Sequence, residues 1–263
     1  MSTPTPNARG VLSAAQLDQF IHQGFVRLDE AFSAQQAADA RALLWPAAQL
    51  DPDAPSTWTR PAIRLGMFPQ PECVATANTP RMRGAFDQLV GEGRWLPCRS
   101  VGTFRIALPL SDDPGDLGWH VDVSFDFEQP DFLQWRANIT SRGRALLMLM
   151  LFTDVGPQDA PTRLRIGSHH ITARQLAPAA EAGLTLGQLA ADGFDTSAGC
   201  EEALATGPAG TVYLCHPFLV HAAQAHHGAR PRILAQPPLL PAEPLRLDGP
   251  SPVERAIHLA LHT

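Results

Sequence analysis

The sequence predicts a mainly β protein, a β-sandwich or jelly roll with helices packed on one side. Helical periodicity is concentrated in the first third of the chain, whereas from about residue 98 short apolar runs are separated by Gly, Pro and Asp. The 263 residues contain no internal repeat and no linker that would divide them. We therefore expect a disordered tail at residues 1–10 and a single domain over residues 11–263.

The chain opens with two predicted helices joined by a short strand-like piece. Phe20 and Ile21 lie on one apolar face, and Gly24 ends the first helix. After the apolar FVRL, Ser33 is a typical N-cap for a second helix that ends near Trp45.

The remaining helices are shorter. Residues 46–80 are rich in proline and are expected to be mostly loop, followed by a helix at about 82–90. A helical insertion is predicted at 180–194, and a short helix at 252–263.

The predicted strands are short apolar or alternating runs bounded by turn residues. They are VGTFRIALPL, HVDVSF, RALLMLMLF, TRLRI, GTVYLCH and RILAQ.

Composition excludes several classes of function. All 20 basic residues are arginine, so the chain has neither a P-loop lysine nor a lysine that could bind pyridoxal phosphate. The net charge of −6 and the lack of a basic cluster argue against nucleic acid or an anionic membrane as partner.

Location is predicted to be cytoplasmic. No apolar run reaches the roughly 18–20 residues that cross a bilayer, and the N-terminal residues are too polar for a secretory signal. The four cysteines form no C-x-x-C pair, which suits a reducing compartment.

His120 and Asp122 form a candidate metal motif in WHVDVSF. Residues i and i+2 of a strand face the same way, so both side chains could approach one ion. A His-x-Asp pair alone is weak evidence, because on the order of one is expected by chance in a chain of this composition.

The segment GPAGTVYLCHPFLVHAAQAHHGARPRILA supplies the missing partners. His221 is the preferred third ligand, and a turn would bring Arg232 back beside the metal, where its planar fork could bind a carboxylate. Two histidines and one carboxylate leave three coordination positions open, as in non-haem Fe(II) oxygenases. His216 is the alternative ligand, but five residues of continuous strand would place it on the opposite face.

The motifs together resemble the phytanoyl-CoA dioxygenase family, over nearly the whole chain. The similar stretches are LSAAQLDQFIHQGFVRLDEAFSAQQ, WHVD, LFTDVGPQDAPTRLRIGSHH, GTVYLCHPFLVH and the arginine that follows.

The resemblance implies a double-stranded β-helix, a cupin-like jelly roll with the N-terminal helices on one sheet. It also implies Fe(II), with Ni(II) or Zn(II) as adventitious occupants, and a reaction that converts 2-oxoglutarate and O2 into succinate and CO2 while a small organic metabolite is hydroxylated. His120, Asp122 and His221 would hold the metal, and Arg232 the 2-oxoglutarate. Ile166, Ala223 and His226 depart from the family pattern, and His169 is expected to be structural.

The substrate residues are weakly defined. Arg105, Trp119, Phe125 and Trp135 are candidates, whereas Arg142 and Arg144 are expected to lie solvated in a loop. A cupin-like isomerase and a non-catalytic binding module stay open as alternatives, and the sequence does not define an oligomeric state.

Overall fold

The computed structural model describes residues 10–263, so residues 1–9 of the predicted N-terminal tail lie outside the described residues. The α-helices are α1 (Ala14–Gln23), α2 (Ala34–Ala48), α3 (Pro71–Ala77), α4 (Pro80–Leu89), α5 (Ser168–Leu176), α6 (Leu186–Leu189) and α7 (Pro252–His262). The strands are β1 (Phe25–Leu28), β2 (Ala62–Leu65), β3 (Trp95–Leu96), β4 (Phe104–Ala107), β5 (Arg136–Ala137), β6 (Leu146–Leu151), β7 (Arg163–Arg165), β8 (Leu184–Thr185), β9 (Glu202–Leu204), β10 (Val212–Cys215), β11 (His221–Ala222), β12 (Arg232–Ala235) and β13 (Pro238–Pro241).

The strands form one large antiparallel sheet and two small ones. The large sheet has the order β1-β10-β6-β12-β4-β2, and β13 pairs with both β6 and β3. A smaller sheet has the order β11-β7-β9, and β5 pairs with β8. This is the predicted mainly β architecture with flanking helices.

The large sheet is buried on both faces. One face, including Met148 and Ile233, joins the apolar cluster that contains Phe20 of α1 and Phe86 of α4. The other face forms a second cluster that includes Leu147. Burial on both faces explains why RALLMLMLF is continuously apolar instead of alternating.

The predicted N-terminal helices are confirmed, with one difference in length. Gly24 ends α1 at φ 86°, and Ser33 forms a capping box at the start of α2. The second helix continues to Ala48 because Pro46 is accommodated inside its last turn.

Other predicted boundaries differ from the structure. The proline-rich residues 46–80, expected to be mostly loop, contain β2 and α3. The insertion at 180–194 contains only one short α-helix, α6, together with β8 and the end of a 3-10 segment at Ala177–Ala182.

The prediction of a strand at HVDVSF is wrong, because the structure has no strand there. Only isolated bridges form there, between His120 and His221 and between Phe125 and Arg136. Val121 and Val123 are nevertheless buried in the main apolar cluster. His120 and Asp122 alternate with these valines along the chain, so their side chains lie on the opposite side of the segment from the core. They do so without a continuous ladder of strand hydrogen bonds.

Two further features concern helix length and the cysteines. Among residues 10–263, no helix combines the length and apolar character required to cross a membrane. All four cysteines are free thiols, and Cys73 and Cys215 are buried.

Candidate metal centre

His120, Asp122 and His221 converge on one point. The backbones of the two histidines bond to each other, at 3.0 Å from His120 N to His221 O and 2.9 Å in return. One nitrogen or oxygen from each of the three side chains lies within 4.8 Å of the others. Residues a hundred positions apart are thus brought together by a single β-bridge.

Both imidazoles are oriented as metal ligands. The Nδ1 atom of His120 lies 3.1 Å from the carbonyl of Gly118, and Nδ1 of His221 lies 3.0 Å from that of Leu219. A ring nitrogen that faces a carbonyl carries the proton, so Nε2 keeps its lone pair. The Nε2 atom of His221 is buried and has no hydrogen-bond partner.

The charge states suit a divalent cation. Burial, reinforced by the neighbouring His120, lowers the pKa of His221 to about 4, which keeps it neutral. Burial alone would raise the pKa of Asp122, but the nearby Arg144 guanidinium, with the two histidines, lowers it. Two imidazoles and one carboxylate form the donor set that accepts Fe(II), Ni(II) or Zn(II).

Arg144 is not the solvated loop residue that the sequence predicts. Its side chain is only 11% exposed, and Nη1 lies 2.9 Å from Oδ2 of Asp122. Arg142, in contrast, places its guanidinium 5.2 Å from the ring of Phe125.

Arg232, the first residue of β12, lines a cavity that the two histidines also line. It is 1% exposed, and Nη2 donates to the hydroxyl of Thr162 at 2.9 Å. The Nε and Nη1 atoms have no partner. The cavity, of about 190 Å³, is also lined by His120 and His221. Burial, together with the charge of Arg105, lowers the pKa of Arg232 to about 9.

Arg105 lies in this cavity too. Its Nε and Nη2 atoms donate to the two oxygens of Asp116 at 2.7 and 2.8 Å, and Nη1 is buried without a partner. Arg64 also pairs with Asp116, from a 57% exposed position. Sequence reasoning missed Asp116, Arg64 and Thr162; the acidic residue four positions before His120 is the one signal that the sequence offers.

The three aromatic candidates do not line this cavity. The guanidinium carbon of Arg165 lies 4.0 Å from the ring centroid of Trp119. Phe125 carries the cation–π contact described above, and Trp135 packs edge-on against Phe127.

The alternative ligand His216 has a structural position. Its Nε2 atom lies 3.1 Å from the carbonyl of Val253, and the ring is buried. The reasoning that separated it from His221 was wrong in detail, because β10 ends at Cys215 and a turn precedes β11. His169 is buried, as expected for a structural residue, with Nε2 at 3.0 Å from the carbonyl of Ile21.

Several solved structures resemble this chain. EctD from S. alaskensis, crystallised with 2-oxoglutarate and 5-hydroxyectoine, is 22% identical with a TM-score of 0.56, over 89% of this chain and 77% of that one. HygX from Streptomyces hygroscopicus, with nickel and 2-oxoglutarate bound, is 20% identical with a TM-score of 0.52, over 86% and 85%. SnoK, a non-heme alpha ketoglutarate dependent carbocyclase from nogalamycin biosynthesis, is 18% identical with a TM-score of 0.59, over 100% and 94%.

No family model and no curated protein sequence matches the chain. At these identities the structural likeness establishes the architecture and leaves chemistry to be argued from the residues of this chain. The chain therefore has the mainly antiparallel jelly-roll fold of these proteins, with helices flanking the sheets.

Proposed function

We propose that this chain is an Fe(II)- and 2-oxoglutarate-dependent oxygenase that acts on a small organic molecule. His120, Asp122 and His221 would hold the metal, and Arg232 would hold the far carboxylate of 2-oxoglutarate. With both groups bound, the centre supplies the activation of dioxygen that is coupled to conversion of 2-oxoglutarate into succinate and carbon dioxide.

The buried Arg232 is the observation that carries this proposal. A guanidinium that has lost its hydration and has two nitrogens without a hydrogen-bond partner is costly unless an anion pairs with it. Arg232 lines the cavity that is also lined by both candidate histidine ligands. A molecule with a metal-chelating end and a distant carboxylate fits both requirements, since bidentate pairing with carboxylate is the particular property of arginine.

The neighbouring residues support the same assignment. Thr162 fixes one edge of the Arg232 guanidinium and leaves the other edge for the ligand. Arg105 and Arg64 make the cavity strongly positive, with Asp116 as the only acidic residue among its lining residues. Such a cavity favours a dianion such as 2-oxoglutarate over a neutral ligand.

We infer hydroxylation as the outcome and membership of the phytanoyl-CoA dioxygenase family, on the motifs WHVD, IGSHH and FLVH. The free thiols suit the cytoplasm that the sequence predicts. EctD and HygX were crystallised with 2-oxoglutarate, and SnoK is a carbocyclase, so related folds accommodate more than one oxidative outcome. Arg105, Trp119, Phe125 and Trp135 stay proposals as substrate contacts.

The two alternative functions explain less of the structure. A cupin-like isomerase has no use for a keto-acid anchor. A non-catalytic module has no reason to keep three converging ligands, with the Nδ1 protons of both histidines held by backbone carbonyls. Neither accounts for the free N–H groups of Arg232.

The decisive experiment measures succinate. Purified protein with Fe(II), ascorbate and 2-oxoglutarate should release succinate slowly without an added substrate. Asp122→Ala should abolish this release, and Arg232→Ala should raise the required concentration of 2-oxoglutarate by at least about tenfold, since one charged contact is worth roughly 1.5–3 kcal/mol.

Asp112→Ala is the matched control, because Asp112 is exposed in the loop that precedes the metal motif. It should behave as the wild type does. Equal succinate release by the wild-type protein and Asp122→Ala would overturn the proposal. If instead the wild type releases succinate and Asp122→Ala does not, candidate metabolites are screened for stimulated succinate release. A product heavier by one oxygen would establish hydroxylation.

A further inference from the structure

The loop before β6 is docked onto the segment that carries Asp122. Gly143 has φ +88°, and a Cβ added there would lie 2.4 Å from the carbonyl oxygen of Ser124. The next residue, Arg144, contacts Asp122 through Nη1 and the carbonyl of Val123 through Nη2, at 3.5 Å. Glycine at 143 is thus required both by the backbone conformation and by the close approach of the two segments.

The docked segment needs such support. Between the isolated bridges at His120 and Phe125, no ladder of strand hydrogen bonds fixes the backbone. A carboxylate on a short side chain in irregular backbone can present one oxygen or both to a cation. Among the described residues, Arg144 is the only cation in ion-pair contact with Asp122, apart from the ligand His221.

The two oxygens of Asp122 have different surroundings. Oδ1 lies 4.0 Å from Nε2 of His221, on the side of the proposed metal. Oδ2 makes an ion-pair contact with Nη1 of Arg144 at 2.9 Å, without hydrogen-bond geometry. The side chain of Arg144 is only 11% exposed. Its backbone is held in the loop, since the N–H of Arg144 donates to the carbonyl of Ser141 at 3.2 Å and the Ser141 hydroxyl donates to the carbonyl of Arg144 at 2.6 Å.

We propose that Arg144 is a positioning residue that binds Oδ2 of Asp122 and so presents only Oδ1 to the metal. The inference rests on the proposed metal centre. A carboxylate that binds through one oxygen occupies one coordination position, whereas one that binds through both occupies two. Arg144 therefore keeps open one of the positions that a chelating keto acid and dioxygen require.

The test uses metal binding and not turnover. Wild-type and variant proteins, freed of metal, are titrated with Co(II) by calorimetry at neutral pH. Arg144→Met should weaken Co(II) binding by about 10- to 100-fold, the usual effect of losing a residue that orients a metal ligand. It should also change the visible absorption of the Co(II) protein, because Oδ2 becomes free to coordinate.

Three variants separate positioning from general damage. Arg142→Met, two residues away and in contact with Phe125 instead of Asp122, should bind Co(II) as the wild type does. Arg144→Lys keeps the charge and should restore part of the affinity. Gly143→Ala keeps Arg144 but displaces its loop from Ser124, and should weaken binding in the same direction as Arg144→Met.

Each outcome bears on a different statement. If the wild-type protein binds no Co(II), the proposed function fails. If the wild type binds Co(II) and Arg144→Met matches it in both affinity and absorption, the positioning role of Arg144 is overturned and the metal centre stands. Should Arg144→Met fold poorly, the same comparison is made between the wild type and Arg144→Gln, which removes the charge but keeps a polar side chain. An unchanged spectrum and affinity in the glutamine variant would also overturn the positioning role.

Discussion

At the residue scale, the centre depends on buried arginines whose charges are incompletely matched. Arg105 and Arg232 are 6% and 1% exposed, and Asp116 is the only acid that lines their cavity. The register places Arg105 opposite Leu234, two residues from Arg232, so both arginines are on the same face of adjacent strands. Two guanidiniums with free N–H groups in one small cavity are stabilised by an anion between them.

Arg105 is therefore expected to contribute to 2-oxoglutarate binding. The cavity of about 190 Å³ is smaller than the roughly 300–1,000 Å³ of ordinary ligand sites, which leaves little room for a second molecule. In Ni(II)-loaded protein, Arg105→Met should weaken 2-oxoglutarate binding by about tenfold. Binding of 2-oxobutanoate, which lacks the far carboxylate, should not change.

Calorimetry with both keto acids checks this expectation. Arg99→Met, at an exposed position outside the cavity, is the control. Unchanged 2-oxoglutarate affinity together with a raised KM for the substrate would return Arg105 to the substrate role that the sequence suggests.

At the scale of elements, the C-terminal helix α7 is attached by one buried carboxylate. Glu254 is fully buried and receives both terminal nitrogens of Arg94, at 2.8 and 2.6 Å, as well as the hydroxyl of Ser251 at 2.6 Å. Burial opposes its charge, but the bonds from Arg94 and Ser251 prevail and lower the pKa of Glu254 to about 2. The residue thus closes the capping box of α7 and ties the helix to the turn after α4.

Glu254→Gln should lower the free energy of unfolding by about 2 kcal/mol, because it removes the charge that matches a mostly buried arginine. Urea denaturation measures the change. Glu243→Gln is the control, since Glu243 is 51% exposed and lies 3.6 Å from the same arginine. A similar loss in both variants would show that burial does not distinguish the two carboxylates.

At the scale of the whole molecule, neutral histidines are enclosed where α1, α5 and the turn after β10 meet. The rings of His169 and His216 are 5.0 Å apart and both are buried. Burial lowers the pKa of His216 to about 3, and burial together with His216 lowers that of His169 well below its ordinary value.

Stability should therefore fall on mild acidification. The unfolded chain binds protons at histidine near pH 6.5, whereas the folded chain keeps these two rings neutral. Their stabilising contribution is complete above that pH and is lost as the pH falls towards their folded pKa values, by up to about 1.4 kcal/mol per histidine per pH unit. Carboxylates titrate mainly below about pH 4.5, so a change in stability between pH 7 and about pH 4.5 is due mainly to histidine.

Urea midpoints of metal-free protein between pH 7 and pH 4.5 test this expectation. His216→Gln should show a shallower decline than the wild type. His262→Gln, at an exposed position, should match the wild type. A wild-type midpoint that stays constant across the interval would contradict the prediction.

Sequence alone determined the features that depend on local patterns. Gly24 and Ser33 mark helix ends through backbone conformation and capping, which neighbouring residues suffice to specify. The spacing of His120 and Asp122, with valine on either side of the aspartate, fixes which side chains face the same way. These rules act over a few residues, so one chain without coordinates is enough to read them.

Tertiary structure decided what depends on distant contacts. The backbone hydrogen bonds between His120 and His221 and the burial of Arg232 arise from segments that are far apart in sequence. The position of Arg144 was misjudged because a loop arginine is solvated by default, and only the docking of its loop beside Asp122 buries it. Burial and electrostatic matching are properties of the packed molecule, and no window along the chain contains them.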